Sequence, residues 1–142
     1  MSAPTKVDLW PSDIEVSELV SPATILRGQA TLLGMKTKNL VEGKVELAQD
    51  SGDKKFKYVF YLVAPALKNY IYRLLSVEYP VDLYPVTIRF ESKKSKAEDS
   101  FDSESSHFIA KDYDDFVTKL GKVLSDERTK RVISALISHS RE

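Results

Sequence analysis

Cysteine and histidine, the side chains that most often act as nucleophiles, proton carriers and metal ligands, are scarce in this chain of 142 residues. It contains no cysteine and two histidines, His107 and His139. A thiolate nucleophile, a disulfide framework and a cysteine-based metal site are therefore excluded. Neither histidine stands in the spacing of a Ser-His-Asp triad or of a two-histidine metal site. We expect no catalytic residue and no metal.

The glycines give no sign of a nucleotide site either. The five of them, at positions 28, 34, 43, 52 and 121, match neither the G-x-G-x-x-G pattern of dinucleotide-binding folds nor the G-x-x-x-x-G-K-[ST] pattern of the phosphate-binding loop. We therefore expect no cofactor. The sequence leaves open whether the protein is an enzyme and leans against it.

The most uneven charge in the chain lies between residues 98 and 115, where seven acids accompany one base, Lys111. Such oxygens could hold a hard cation, but their order does not match the Asp-x-Asp-x-Asp-Gly order of a calcium loop. We interpret residues 93–106 as a solvated loop and the acids after it as the first turn of a helix, where the helix dipole favours negative charge. The seven acids are Glu98, Asp99, Asp102, Glu104, Asp112, Asp114 and Asp115.

Aromatic and basic residues in the middle of the chain form the candidate binding site. Six of the seven tyrosines lie within residues 58–84, and alternation along strands sorts their side chains into two faces. Even positions form the more apolar face. The other face carries Lys57, Tyr61, Arg73 and Arg89 beside Val59, Val63, Ile71, Leu75 and Val77. Because tyrosine and arginine are typical interface anchors, we predict that Tyr61, Arg73 and Arg89 bind a partner.

Several elements must position these residues. Ser21 followed by Pro22 is typical of a helix start, and the predicted helix runs to about Asn39. Its apolar positions predict burial of Ile25, Leu26, Leu32 and Leu33. Apolar alternation then predicts strands from Leu40, over 56–64, over 70–77 and over 81–90, with a short fifth strand over 107–110. Pro85 cannot donate to a ladder, so its strand is predicted to lie at a sheet edge or to be bulged there.

Two helices are predicted at the C-terminal end, the first capped by Asp112 and the second by Ser125. We therefore predict an α+β fold with an N-terminal helix, a four- or five-stranded mainly antiparallel sheet and two C-terminal helices. Residues 1–20 form an extended N-terminal arm and residues 21–142 a single domain. Phe60 and Leu120 are predicted to be buried in its core.

Composition narrows the classes of function further. Lysine plus arginine and aspartate plus glutamate both number 21, so the net charge is zero, which argues against a strongly basic nucleic-acid binder. The longest nearly apolar run is half the length of a membrane span, and the N-terminal residues do not resemble a secretion signal. Together with the absence of cysteine, this predicts a cytoplasmic protein that is not embedded in a membrane.

Three stretches carry a resemblance to known proteins: residues 22–43, residues 60–72 and residues 81–86. In them the chain resembles small bacterial proteins to which no activity is assigned. The resemblance covers roughly residues 22–88. It implies a bacterial cytoplasmic origin and no catalytic residue, since these stretches hold no signature of known chemistry.

Three hypotheses about function follow. The first is a non-enzymatic protein-interaction module that uses an aromatic sheet surface and binds a protein partner, with self-association left open. The second is a pocket for a small ligand or for catalysis, built from tyrosine, arginine and aspartate and lined by Tyr58, Tyr72, Arg73 and Arg89. The third is binding of single-stranded nucleic acid, in which bases stack on tyrosine and arginine pairs with phosphate.

Overall fold

The computed structural model describes residues 7–11, 19–48, 54–91 and 105–142. Its helices are α1 (Pro22–Lys36), α2 (Tyr113–Leu124) and α3 (Glu127–Ser140), and a 3₁₀ turn covers Pro65–Leu67. Its strands are β1 (Glu42–Ala48), β2 (Phe56–Ala64), β3 (Tyr70–Tyr79), β4 (Val86–Glu91) and β5 (Ser105–Ala110). The five strands are antiparallel neighbours in chain order. The predicted α+β fold is therefore confirmed, with five strands in the sheet.

Helix α1 begins where the sequence predicts and ends three residues earlier. The Ser21 hydroxyl accepts from the Thr24 amide at 3.2 Å, and Pro22 is the first helical residue. Lys38 and Asn39 take φ values of 55° and 65°, which no α-helix can continue. The Thr37 hydroxyl then accepts from the Val41 amide at 3.1 Å and connects the helix end to the start of β1.

Helix α1 packs on the sheet through small residues. A Cβ atom added to Gly43 of β1 would stand 2.6 Å from Ala30 Cβ, so the glycine allows the helix to approach the strand. Leu26 is fully buried in this contact, whereas Leu32 is 46% exposed. The prediction that Leu32 is buried is therefore wrong. Its position on α1 lies away from the seam that touches β1.

The C-terminal helices are joined by a tight connection. Asp112 caps α2 as predicted, accepting from the Asp115 amide at 2.9 Å. The predicted cap of α3 is wrong by one residue, because Asp126 accepts from the Arg128 amide at 2.9 Å. Ser125 instead donates to the Gly121 carbonyl at 2.7 Å and closes the end of α2. The buried Thr129 hydroxyl donates to the Val123 carbonyl at 2.9 Å and holds α3 against α2.

Two predicted strand limits require correction. The strand predicted over 81–90 begins at Val86, directly after Pro85. It lies between β3 and β5, so Pro85 marks neither an edge nor a bulge and only precedes the ladder. Ser105 and Ser106, predicted as loop, belong to β5, where they pair with Glu91 and Phe90. The rest of the predicted loop lies outside the described residues.

The core lies between the sheet and the three helices. Phe60 and Leu120 are 2% and 3% exposed, which confirms their predicted burial. Of the predicted arm, residues 7–11 and 19–20 are described, and they form neither helix nor strand. Leu9 and Trp10 are largely exposed. No helix within the described ranges is long and apolar enough to cross a membrane.

Strand β5 is one edge of the sheet, and α2 satisfies backbone groups at its end. Lys119 Nζ donates to the Ile109 carbonyl at 3.0 Å, and the Lys111 amide donates to Asp115 Oδ2 at 3.0 Å. Lys119 Nζ and Asp115 Oδ2, both of α2, also form an ion pair at 3.1 Å. Since an added strand would bind to the free N–H and C=O groups of an edge, this ion pair closes part of that edge.

The same ion pair makes stability depend on pH. The hydrogen bond from the Lys111 amide, followed by the interaction with Lys119, lowers the pKa of Asp115. The ionised carboxylate thus stabilises the fold above the ordinary aspartate pKa of about 4, and this contribution is lost as the pH falls through the lowered folded pKa. We expect Asp115→Ala to be less stable than the wild type at pH 7. The difference should shrink as the pH falls from about 5 to 2.

Urea unfolding over a pH series measures this difference. Asp114→Ala is the control, because Asp114 stands in the same first turn of α2 and accepts neither hydrogen bond. Its difference from the wild type should change less with pH. If the stability difference between Asp115→Ala and the wild type stays constant from pH 7 to about pH 2, the charge of the Asp115 carboxylate does not contribute to stability.

Candidate functional site

All three helices pack on one face of the sheet. On that face Phe60, Leu62, Val77, Val86 and Ile88 form one apolar cluster with Leu26 of α1, Phe116 of α2 and Leu136 of α3. No described helix packs on the other face, which we call the open face. The strand register places three groups of polar and apolar residues there: Glu42, Lys44 and Glu46 of β1; Lys57, Val59, Tyr61 and Val63 of β2; Ile71, Arg73, Ser76 and Glu78 of β3. It also places Thr87, Arg89 and Glu91 of β4 and His107 and Ile109 of β5 there.

A β-bulge in β3 changes the predicted faces. Phe60 pairs with Leu75, and Tyr61 pairs with Arg73, so Leu74 has no partner on β2. An extra residue reverses the alternation of the side chains that follow it. Leu75 and Val77 therefore lie opposite Phe60 and Tyr58 on the helix-covered face and are buried. The prediction that they share the face of Arg73 is wrong.

The bulge also shapes a concavity on the open face. A cavity of about 300 Å³, here called the bulge pocket, is lined by Lys57, Arg73, Ser76, Arg89 and Glu91 together with Leu74, Leu75 and Phe90. Ser76 is 4% exposed and stands directly opposite Arg89. Arg73 and Arg89 are both exposed. The structure thus brings these two predicted site residues to one pocket. The third, Tyr61, is half-buried and lies beside it, directly opposite Arg73.

Positive charge dominates the lining of the bulge pocket. Three of its side chains are cationic, and one, Glu91, is anionic. Among the described residues, none of the ion pairs within 4.0 Å involves Lys57, Arg73 or Arg89. Glu91 lies 3.8 Å from Arg128 of α3, which offsets part of its charge. An anion that entered the pocket would meet two guanidinium groups that form no ion pair with any described carboxylate.

Most of the tyrosines are not on this surface. Tyr58, Tyr70, Tyr72 and Tyr79 fall on the helix-covered face, and Tyr61 is the sheet tyrosine on the open face. Tyr58 stacks on Tyr79 with ring centroids 6.1 Å apart, and the Arg27 guanidinium of α1 lies 5.5 Å from the Tyr58 ring. Burial raises the pKa of Tyr79. The expected aromatic sheet surface therefore lies mostly on the helix-covered face, and the open face carries aliphatic side chains and charged side chains of both signs.

The pocket predicted from Tyr58, Tyr72, Arg73 and Arg89 does not form, because the two tyrosines and the two arginines lie on opposite faces of the sheet. Tyr72 instead lines a cavity of about 580 Å³ with Tyr70, Leu136 and His139. A smaller cavity of about 240 Å³ lies between α1 and α3 over Phe60 and Leu74. Neither cavity contains an arginine.

Sequence reasoning did not include Ser76 and Glu91 in the site. A serine within an apolar strand is a weak signal, and the bulge that brings it to the pocket depends on pairing with a distant strand. Strand alternation predicts the correct face for Lys57, but no local pattern shows that Lys57 borders the same concavity as Arg89. Within the described ranges, no group of three or more histidine, aspartate or glutamate side chains could hold a metal ion.

The fold and the site define an α+β protein with helices on one face of an antiparallel sheet and a cationic pocket on the other. Comparison with protein-family models, with curated proteins and with solved structures finds no match to this chain. The resemblance to small bacterial proteins therefore stays a prediction.

Proposed function

We propose that this chain is a non-enzymatic interaction module of the bacterial cytoplasm and that its open face binds a protein partner. The observation that carries the proposal is the bulge pocket, where Arg73 and Arg89 stand without a described carboxylate partner on a face that no described helix covers. Exposed arginines beside a tyrosine are typical anchors of protein interfaces. The cytoplasmic origin rests on the absence of cysteine and on the resemblance.

Apolar side chains around the pocket supply the rest of a contact surface. Ile71 and Ile109 are 53% and 54% exposed on the open face. Tyr61 and Val63 are half-buried between them and β1. A protein partner can bury such side chains while an acidic group of the partner reaches the arginines.

Two features favour a protein over single-stranded nucleic acid. Bases stack on successive aromatic side chains, and Tyr61 is the only aromatic residue of β2 and β3 that lies on the open face. The formal charges of this face also balance, since Lys44, Lys57, Arg73 and Arg89 accompany Glu42, Glu46, Glu78 and Glu91. A phosphate backbone requires a longer cationic track than one pocket offers.

The test replaces both arginines. We expect Arg73→Ala with Arg89→Ala to weaken partner binding about tenfold or more, because each truncation of an anchor typically costs over about 1 kcal/mol. The thermal midpoint should stay nearly unchanged, since exposed charges contribute little to folding. Affinity capture from a bacterial lysate with quantitative mass spectrometry first identifies proteins retained by the wild type. Titration of purified candidates then measures their Kd.

The matched control is Lys130→Ala with Arg131→Ala, which removes the same charge from exposed positions of α3. It should bind every partner as the wild type does. A steep fall of affinity with salt would identify nucleic acid as the ligand, because counterion release produces that slope. If the arginine variant unfolds, Arg73 and Arg89 are structural residues. If it binds all candidates as tightly as the wild type, the interface lies elsewhere.

A further inference from the structure

Ser76 is the most buried polar residue in the lining of the bulge pocket, and we call it the floor of the pocket. With Leu74 inserted into β3, both Leu74 and Leu75 are buried, and Leu74 also lines the cavity between α1 and α3. The next open-face residue after Arg73 is therefore Ser76, three positions on instead of two. This wider spacing separates the Arg73 side chain from its neighbour and leaves space above Ser76.

The floor offers a hydroxyl donor. Ser76 is 4% exposed, and its direct cross-strand partners are Val59 on β2 and Arg89 on β4. Val59 is also 4% exposed, so the neighbour of Ser76 on β2 is apolar and buried. A group that reached the Ser76 hydroxyl would be largely withdrawn from water, where charge-assisted hydrogen bonds are strongest.

The walls carry a net charge of two. Lys57, Arg73 and Arg89 contribute three positive charges, and Glu91 contributes one negative charge. A phosphoryl monoester carries about −1.5 to −2 charges at pH 7 and three acceptor oxygens. Guanidinium groups match such oxygens with paired, planar hydrogen bonds. The charge and the donors of the pocket therefore suit a phosphoryl group better than a carboxylate with a single charge.

The pocket has room for a phosphoryl group together with the side chain that carries it. Its volume of about 300 Å³ is at the lower end of small-molecule pockets, which span roughly 300–1,000 Å³. Glu91 at the rim would repel a second anion and is held toward α3 by Arg128 at 3.8 Å. From these contacts we infer that the bulge pocket binds a phosphoryl group carried by a side chain of a protein partner. The inference rests on the proposed function, since the partner reaches the pocket across the open face.

The first arm of the test uses inorganic phosphate and the full chain. Titration followed by ¹⁵N NMR should shift the amides of Leu74, Leu75, Ser76 and Arg89 along one saturable curve, while chloride at equal ionic strength should not. Arg89→Gln should weaken phosphate binding about tenfold, or about 1.4 kcal/mol, because it removes a hydrogen bond between two charged groups. Glu91→Gln should strengthen it about threefold, since it removes the carboxylate of the lining. Arg131→Gln on α3 is the matched control and should leave the Kd unchanged.

Weaker phosphate binding by Arg89→Gln, together with stronger binding by Glu91→Gln, distinguishes a specific site from general charge attraction. Diffuse attraction would respond to Arg131→Gln as it does to Arg89→Gln, and that result would overturn the inference. A Kd for phosphate that changes with neither Glu91→Gln nor Arg89→Gln would overturn the inference as well. The thermal midpoint of each variant shows that the fold is intact.

The second arm identifies the source of the phosphoryl group. The probes are a synthetic phosphoserine peptide, the same peptide with serine or glutamate at that position, and a single-stranded oligothymidylate of similar length. We expect the phosphoserine peptide to compete with inorganic phosphate for the same amides and the serine peptide to fail. If the glutamate peptide binds as tightly as the phosphoserine peptide, the pocket recognises a carboxylate and the inference of a phosphoryl group is wrong. If the oligothymidylate binds more tightly, the ligand is nucleic acid and not a protein partner.

Failure of this inference and failure of the proposed function give different results. If phosphate does not bind but the double arginine variant still loses its protein partner, the open face is an interface and the pocket does not bind a phosphoryl group. If phosphate binds and that variant retains every partner, the pocket holds a free anion and the proposed function fails.

Discussion

Replacing Phe60 by alanine should lower the free energy of unfolding by about 3–5 kcal/mol, the range for a phenylalanine removed from a core. Phe60 is 2% exposed at the centre of the helix-covered face, where it pairs with Val45 of β1 and Leu75 of β3. Its ring also borders the cavity of about 240 Å³ between α1 and α3. Truncation would enlarge a space that the rigid sheet beneath cannot close. Denaturant unfolding monitored by circular dichroism measures the loss.

Leu120 of α2 belongs to the same buried cluster as Phe60, and its replacement tests the core from the helix side. It is 3% exposed, and Leu120→Ala should cost about 2–5 kcal/mol. Val117→Ala is the control, because this valine is 42% exposed on α2 and surface changes usually stay within about 0.5 kcal/mol. Losses below about 0.5 kcal/mol at both Phe60 and Leu120 would show that the core lies elsewhere.

Gly43→Ala should destabilise the protein by about 1–3 kcal/mol, although the change adds only one methyl group. The new Cβ would stand 2.6 Å from Ala30 Cβ, 2.7 Å from Ala30 Cα and 2.9 Å from Phe60 Cζ. Two of these atoms belong to the short side chain and backbone of a helix, so α1 itself must move away from β1. Hydrogen exchange of the α1 amides should rise more than that of β3 and β4.

Gly28→Ala is the matched control within α1. Apart from its chain neighbours and the surrounding backbone of α1, a Cβ at Gly28 would meet no atom within 4 Å. The substitution should therefore stabilise the protein by about 0.5–1 kcal/mol, because alanine favours a helix interior over glycine. The change from glycine to alanine is thus expected to lower stability at Gly43 and to raise it at Gly28. Equal effects at both positions would contradict the close contact between α1 and β1.

The two layers of the protein separate stability from recognition. The core residues lie between the sheet and the helices, whereas Arg73 and Arg89 lie on the opposite face and are exposed. Truncations in the core should therefore lower stability, and truncations of the arginines should lower affinity. The two sets also meet in the sheet at the bulge, where buried Leu74 and Leu75 lie between Arg73 and Ser76.

Local signals in the sequence were sufficient for most of the elements. Ser21 and Asp112 cap their helices as predicted, and β2 spans Phe56–Ala64 within its predicted limits. Capping depends on hydrogen bonds that reach only two or three residues along the chain, and apolar alternation reports burial within one strand. The chain order of the elements then favours an antiparallel meander, because short connections join neighbouring strands.

What only the tertiary structure decided is how these elements share faces and edges. Alternation carries a face along β3 from Tyr70 to Arg73, but the unpaired Leu74 reverses it, and that position is set by pairing with Phe60 and Tyr61 of β2. Whether helices cover one face or both likewise depends on contacts between residues far apart in sequence. The sequence by itself therefore determined an α+β meander and placed Tyr61, Arg73 and Arg89 on one face. The pocket of Arg73, Ser76 and Arg89, and its position away from the helices, arise from strand pairing that no local pattern encodes.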